Sequence, residues 1–422
     1  MTRAIAVYLD WEAMADPLHL GTLHARTGAS REVFDLELDP TVLARPELAQ
    51  LHLDPAIAMV AGHQYPPANH AQFGMFSDAS PDRWGRMLMQ RRLERDKRAR
   101  RAPTNRRLLE SDYLLGVHDI YRVGALRLRQ RDTGPFLDDR HDAAAPPFVK
   151  LRELEAASAA IERDDDNASA AGNAGLQMLI APGGSLGGAR PKASVVSPDH
   201  RMWIAKFPSV RDDHDVGGWE LLVQSLAAAA GLRVIDSQAR RLASEHHTFL
   251  IARFDRTARG RVHYASAMTL TRHIDGDDAS TGASYLELAR VLVEHGAEPG
   301  SDLRELWTRI VFNMLVRNAD DHLRNHGFLW VPRKGWRLSP VFDMNPMPDA
   351  SGLRLNVNEA DNALDLDLAR SVASVFRVRA ATANSIIETL IAIVARWREV
   401  AARLGLPHRE LELMAPAFAL SD

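Results

Sequence analysis

The chain has 422 residues, 46% of them hydrophobic and 25% charged, with a formal net charge of -3. That length supports two or three domains with substantial cores, and the charge balance excludes a polyacid or a wholesale polyanion binder while leaving local basic patches possible. No cysteine is present, which excludes disulfides, thiolate metal sites and cysteine nucleophiles.

The opening MTRAIAVYLDW lacks the apolar core of a signal peptide, and no apolar run approaches the ~20 residues of a membrane span. A soluble cytoplasmic protein without membrane contact is expected. Residues 3–8, 19–25 and 32–37 alternate or run apolar at strand length between turn-formers, which predicts a small antiparallel sheet. Residues 40–60 are mixed and Tyr65-Pro66-Pro67 is a loop. Ser80 as N-cap and Pro81 at the first helical position predict a helix running to about Arg101, before Pro103. It carries Arg83, Arg86, Arg91, Arg92, Arg95, Lys97, Arg98, Arg100 and Arg101 against Glu94 and Asp96. A solvated face and a contact for nucleic-acid phosphates or an acidic partner are both compatible with that run.

Residues 111–130 hold a short helix and a strand, and Asp132 to Pro147 is the best linker candidate. Lys150 to Arg163 is a predicted helix, and Asp164 to Gly175 a mobile polar loop of small residues. No repeat of solenoid period occurs. From Gln177 the pattern runs strand, loop, strand, helix, strands and then mostly helices. The expected fold is α+β and two-lobed like a protein kinase. Residues 1–145 would be an N-terminal subdomain and 146–422 the core, β-rich to about 256 and helical over 257–422.

In the β-rich part, Ala181 to Val196 crowds glycines between apolar stretches. Glycine tolerates positive φ and close backbone approach, so such a loop can aim amides at phosphate oxygens, although a tight turn uses the same residues. Arg201 to Lys206 then reads as a strand ending in lysine, like the strand that sets a lysine on nucleotide phosphates. Glu220, near the start of the next helix, is placed either to pair with Lys206 or to complement that helix's N-terminal charge. Phe249 to Ala252 is a buried-type strand leading into Arg253-Phe254-Asp255-Arg256, where a kinase-like chain passes to its helical lobe.

The densest chemistry lies in Val311 to Pro346. An apolar helical run, with Phe312, Leu315 and Val316 on one face, ends in Asn318-Ala319-Asp320, and Asn325 follows five residues after Asp320. Phe328 to Val331 and Trp336 to Val341 are predicted strands around a Pro332–Gly335 turn, delivering Phe342-Asp343 at the far end. A base, a metal-binding amide and a metal-binding carboxylate in this order form the layout of a phosphotransfer site. Asp321 competes with Asp320 as base, but only Asp320 has the spacing D-x-x-x-x-N to Asn325. Helix capping by Asp320 and a surface Asn325 is the structural alternative.

S-L-G-G-A-R-P-K, the lysine of WIAK, RFDR, N-A-D-D-H-L-R-N and S-P-V-F-D, in this order, resemble the HipA family, the serine/threonine kinase toxins of bacterial toxin–antitoxin pairs. The likeness covers residues 177 to about 390, and more loosely the opening sheet. It implies ATP and Mg2+ as cofactors, Asp320 as catalytic base, and Asn325 and Asp343 as magnesium ligands. Lys206 would bind phosphate, and Gly187, Gly188, Ala189, Arg190 and Lys192 would form the nucleotide loop. Ala252 and Phe254 would contact adenine, His322 and Arg324 would lie beside the phosphates, and Phe342 would join the nucleotide site. Ser185 matches the family's autophosphorylated serine. The implied partners are a HipB-like helix-turn-helix antitoxin, operator DNA reached through that antitoxin, and a protein substrate such as an aminoacyl-tRNA synthetase. Many relatives carry a glutamate where this chain has Ala252, and an acidic motif where it has Arg261 to Thr271. A small-molecule phosphotransferase of kinase fold, and a nucleotide-binding corepressor acting on DNA, are the competing readings.

Overall fold

The computed structural model describes residues 2–12, 14–28, 31–45, 48, 51–130, 134–137, 146–163, 170–179 and 188–421. Packing divides the chain into two compact units, each discontinuous in sequence: 1–212 with 240–265, and 213–239 with 266–422.

In the first unit the three alternating segments form β1 (Thr2–Leu9), β2 (Leu18–Thr27) and β3 (Glu32–Leu38). With β4 (His63–Gln64) and β5 (Leu126–Arg129) they make a sheet in the order β4-β3-β2-β1-β5. All four pairings are antiparallel. Phe34, Leu36 and Leu38 of β3 are buried while Val33 and Glu37 are exposed, the signature of a sheet with one face on a core.

The basic helix is Arg83–Arg98, shorter than expected at both ends. Asp82, not Ser80, is its N-cap and accepts from Gly85 N at 2.7 Å. The Ser80 hydroxyl instead donates to Phe76 O at 2.8 Å, closing the short Gly74–Asp78 helix before it. Several of the helix's cations are engaged inside the unit: Arg86 makes a two-pronged bond to Glu110, and Arg91 donates to Ile161 O.

The helix Leu151–Arg163 forms as expected. The loop expected over 164–175 does not: residues 170–175 belong to a helix, Ala170–Leu179, and 164–169 lie outside the described residues. Alanine is the best helix former, and Leu176 and Leu179 are buried. A Cβ on Gly175 would stand 2.8 Å from Ala157 O, so the glycine lets this helix approach Leu151–Arg163 closely. A glycine that suggests a loop serves here as a point of close packing. Most of the expected linker 132–147 also lies outside the described residues.

A second sheet has the order β6-β7-β9-β8, from β6 (Lys192–Val196), β7 (Met202–Lys206), β8 (Ser237–Arg241) and β9 (His247–Ala252). Lys206, the last residue of β7, lies opposite Lys192 on one side and Phe249 on the other.

The second unit is mainly helical, as the sequence suggests for the later part of the chain. The helix Val216–Ala229 is capped by Asp215, which accepts from Gly218 N. The helix Pro299–Leu315 is buried on every side from Arg309 to Leu315. Trp219, Trp307, Trp336 and Trp397 are fully buried. Their indoles are supported by specific partners: Trp307 donates to Ala369 O, Trp219 to Glu410, and Trp397 stacks on Phe418 with centroids 4.5 Å apart. The strands Gly327–Val331 and Gly335–Leu338 pair as the expected hairpin, Trp330 opposite Trp336. The second strand stops at Leu338 rather than Val341, because Pro340 has no N–H to continue a ladder. Among the described residues, no helix is long and apolar enough to cross a membrane.

Candidate functional site

The buried helix Pro299–Leu315 ends at Val316, and Arg317 takes a left-handed φ of 46° that turns the chain out of it. Asn318 N donates back to Asn313 O, and the Asn318 amide donates to Asn313 Oδ1. The turn that follows leaves the two candidate aspartates in opposite environments. Asp320 is exposed and Asp321 is buried.

Asp321 Oδ2 accepts from Tyr285 Oη at 2.7 Å and Asn313 Nδ2 at 2.7 Å, and lies 2.8 Å from His326 Nε2. Burial pushes its carboxyl up, but the His326 imidazole, aided by the Tyr285 hydroxyl, outweighs burial and holds it below the ordinary range. The same burial, beside the Asp321 charge, pushes the Tyr285 phenol well above its usual value. Asp321 is thus built into the interior of its own unit, while Asp320 stays at that unit's surface.

Asn325 closes a short 3-10 turn, Leu323–Asn325, and is buried. Its Nδ2 donates to Asp320 O at 3.0 Å. That bond fixes the amide and turns Oδ1, an uncharged hard oxygen, to the other side. His322 N also donates to Asp320 O, at 2.9 Å, and Arg324 pairs with Asp275 at 3.1 Å.

Beyond the hairpin, Phe342 and Asp343 are half-buried in irregular chain, and Asp343 has φ +58°. A non-glycine residue in the left-handed region costs free energy and is held there by its surroundings. Two hydrogen bonds anchor the backbone just downstream. Asn345 N donates to Asn318 Oδ1 at 3.0 Å, and Met347 N donates to Arg317 O at 3.0 Å. The segment just after Asp343 is therefore stitched to the segment just before Asp320. Asp320, Asn325 and Asp343 all lie in one unit, on one continuous hydrogen-bonded frame.

The remaining candidates lie in the other unit. Ser185 and Gly187 fall outside the described residues. Gly188 and Ala189 are exposed, and Gly188 has φ +102°. Arg190 forms a two-pronged ion pair with Asp212. Lys192 is almost wholly buried, its Nζ 2.8 Å from Asp82 Oδ2 and 3.3 Å from Gly188 O. Lys206 is half-buried, its ammonium 5.7 Å from the centre of the Phe249 ring. Ala252 is buried at the end of β9, and Phe254 sits 6.1 Å from the Tyr264 ring.

The RFDR stretch holds its own unit together. Asp255 accepts two bonds from Arg253, one from Arg256 and one from Gly124 N. Burial pushes the Asp255 carboxyl up, yet the Arg253 and Arg256 guanidiniums hold it far below the ordinary range. Arg253 also donates to Tyr121 O, and Arg256 to Arg122 O.

The sequence reading missed Tyr285 and Asn313, because neither belongs to a motif and Tyr285 lies 36 positions from the carboxylate it contacts. Asn318 stood inside the N-A-D-D motif without an assigned task. Its signal was visible: a buried amide between two turns needs partners on both sides.

A family model described as "HipA-like C-terminal domain" matches residues 184–397. Among curated proteins, a Haemophilus influenzae protein named "Putative kinase" is 27% identical over 110 residues, covering 24% of this chain and 32% of its own length. "Putative kinase Y4dM" of Sinorhizobium fredii is 30% identical over 154 residues, 34% of this chain and 36% of its own. The chain thus spans about a third of the length of these relatives. Among solved structures, the Shewanella oneidensis toxin–antitoxin complex of HipA, HipB and operator DNA contains a chain with a TM-score of 0.66 to this one. The match covers 99% of this chain and 96% of that chain at 16% identity, a likeness of fold.

Proposed function

The chain belongs to the HipA-like C-terminal domain family, and we propose that it is an ATP- and magnesium-dependent serine/threonine protein kinase, the toxin of a toxin–antitoxin pair. The observation that carries this reading is the bond from Asn345 N to Asn318 Oδ1. It ties the Phe342-Asp343 segment to the turn that presents Asp320, two elements that lie 23 positions apart in sequence.

The donor set suits magnesium and a nucleotide. Magnesium takes hard oxygens and few protein ligands, and the fixed amide of Asn325 with the Asp343 carboxylate offers that chemistry. When bound, the ion would neutralise charge on the transferring phosphoryl group. Asp320, exposed and unencumbered by the network that claims Asp321, would orient the acceptor hydroxyl and accept its proton. Lys206 would supply a fixed positive charge to the phosphates, with Gly188, Ala189 and Arg190 at the nucleotide loop and Ala252 and Phe254 at the adenine. His322, Arg324 and Phe342 would flank the same nucleotide. Lys192 would act from beneath the loop, since its ammonium already holds Gly188 O. The division into residues 1–145 and a core of 146–422 is part of the same proposal.

The finer reading adds Ser185 as a self-phosphorylation site and a translation protein, such as an aminoacyl-tRNA synthetase, as target. A HipB-like helix-turn-helix antitoxin would hold the kinase and bring it to operator DNA. The test is to incubate purified protein with labelled ATP and magnesium, alone and with a cell extract, beside Asp320→Ala. Label on Ser185 and on an extract protein, absent from the variant, is the expected result. Label only on a small molecule would favour a small-molecule phosphotransferase, and no turnover would overturn both enzyme readings.

A further inference from the structure

Away from these residues, the outer face of the first sheet gathers a different set of side chains. His24 on β2, Glu37 on β3 and His63 on β4 bring one donor atom each to within 4.8 Å of one another. The register explains the convergence. Glu37 lies directly opposite His63, and His24 opposite Asp35, two residues from Glu37 on the same strand face. Directly opposed and diagonal neighbours on one face of a sheet are close enough for long side chains to meet. Three adjacent strands therefore present two imidazoles and a carboxylate to one point.

We propose that His24, Glu37 and His63 bind a divalent transition metal of the zinc type. Two further observations point the same way. His63 Nδ1 lies 2.6 Å from Oδ2 of Asp35, whose side chain is fully buried and is also paired with Arg26. A carboxylate on one ring nitrogen is the usual outer partner of a metal-bound histidine, fixing the ring and leaving Nε2 to the ion. His24 Nε2 is shielded from solvent and has no hydrogen-bond partner, with Glu37 Oε2 3.9 Å away. A buried nitrogen lone pair or N–H left without a partner is costly, and coordination would satisfy it.

Imidazole nitrogens select zinc, cobalt, nickel or copper over magnesium and calcium, which prefer oxygen ligands. Tetrahedral zinc at about 2.0–2.1 Å from nitrogen and oxygen needs donors about 3.3 Å apart. Small side-chain rotations of exposed Glu37 and His63 would bring the three donors to that separation, with water as the fourth ligand. The ion would clamp β4, a two-residue strand at the sheet's edge, to β3 and β2.

The test uses the full chain without an affinity tag, stripped by a chelator and dialysed. Cobalt(II) serves as probe because tetrahedral coordination gives intense visible bands. The expected result is one equivalent bound with those bands, bleached by zinc, and a zinc-dependent rise in melting temperature. Glu37→Gln, at an exposed position, should weaken binding at least tenfold with metal-free melting unchanged; His63→Ala should weaken it as much but also lower metal-free melting, because His63 partners the buried Asp35. Asp320→Ala should bind cobalt as the unaltered chain does. A featureless spectrum, or an equivalent that survives intact in His24→Ala/His63→Ala, would overturn the proposal and leave the cluster a polar surface patch.

Discussion

Lys192 Nζ lies 2.8 Å from Asp82 Oδ2, and both side chains are at least 96% buried. A lysine that sequence places in a nucleotide loop is thus also one half of an interior ion pair. Its carboxylate partner caps the basic helix through the other oxygen. Removing one member of a buried pair leaves an uncompensated charge and costs about 3–5 kcal/mol, and losing the cap adds about 1 kcal/mol. Asp82→Ala should therefore lower unfolding stability by several kcal/mol in urea titrations. Asp82→Asn/Lys192→Met, which removes both charges, should lose much less than the sum of its single changes. Additive losses in that cycle would mean that the two groups do not depend on each other.

Tyr285→Phe removes a hydrogen bond to the charged, buried Asp321 and should cost about 1.5–3 kcal/mol. The Asp321 carboxyl is held below its ordinary value of 3.8 in the folded protein. A lowered folded pKa contributes stability above the unfolded value, which is lost as pH falls through the folded one. The stability gap between the unaltered chain and Asp321→Asn should accordingly narrow as pH falls below about 4. A gap that stays constant to pH 3 would contradict the assignment of charge to Asp321.

His273 bridges Asp277 at 2.8 Å and Glu287 at 3.1 Å. Its hydrogen bond to Glu287, opposed by partial burial and reinforced by Asp277, raises its pKa above the ordinary 6.5. For a raised pKa the sign reverses. The stabilisation is fully present below pH 6.5 and disappears as pH rises through the folded value. His273→Gln should flatten that part of the stability profile, and the ring's proton signals should titrate above 6.5 in the folded chain. A midpoint at or below 6.5 would rule out the bridge in solution.

Asp320 and Asp321 should separate cleanly when each is replaced. Asp320 is exposed, so Asp320→Ala should change stability by no more than about 0.5 kcal/mol while phosphoryl transfer falls at least about 100-fold. Asp321→Ala should lose stability and transfer together, because three buried partners lose their acceptor. If Asp320→Ala retained full transfer, the base would have to be sought elsewhere.

Much of the candidate site could be read from spacing, because its parts are local. Asp320 and Asn325 are joined by one turn, and a hairpin carries the chain to Asp343. The opening sheet was equally visible, since a half-buried strand writes its alternation into the sequence. Three features were hidden for physical reasons. Asp82 and Ser80 are both good caps, and only the competing carbonyl of Phe76 decides between them. The helix after residue 169 looks like a loop because its glycines break the helical pattern, and the reason for Gly175, a close approach to Ala157, lies in tertiary packing. His24, Glu37 and His63 carry no motif, since their meeting depends on strand register and not on separation in the chain.

The discontinuity of the two units has a consequence for the order of folding. β7 receives its second neighbour only when β9, residues 247–252, has been synthesised. By then the intervening helix Val216–Ala229, which belongs to the other unit, has already been synthesised. Completing the second sheet therefore requires closing a long loop around a helix committed elsewhere, a non-local step of the kind that slows folding. Until that closure, β7 carries an open strand edge, and a chaperone that shields such edges should raise the yield of folded protein.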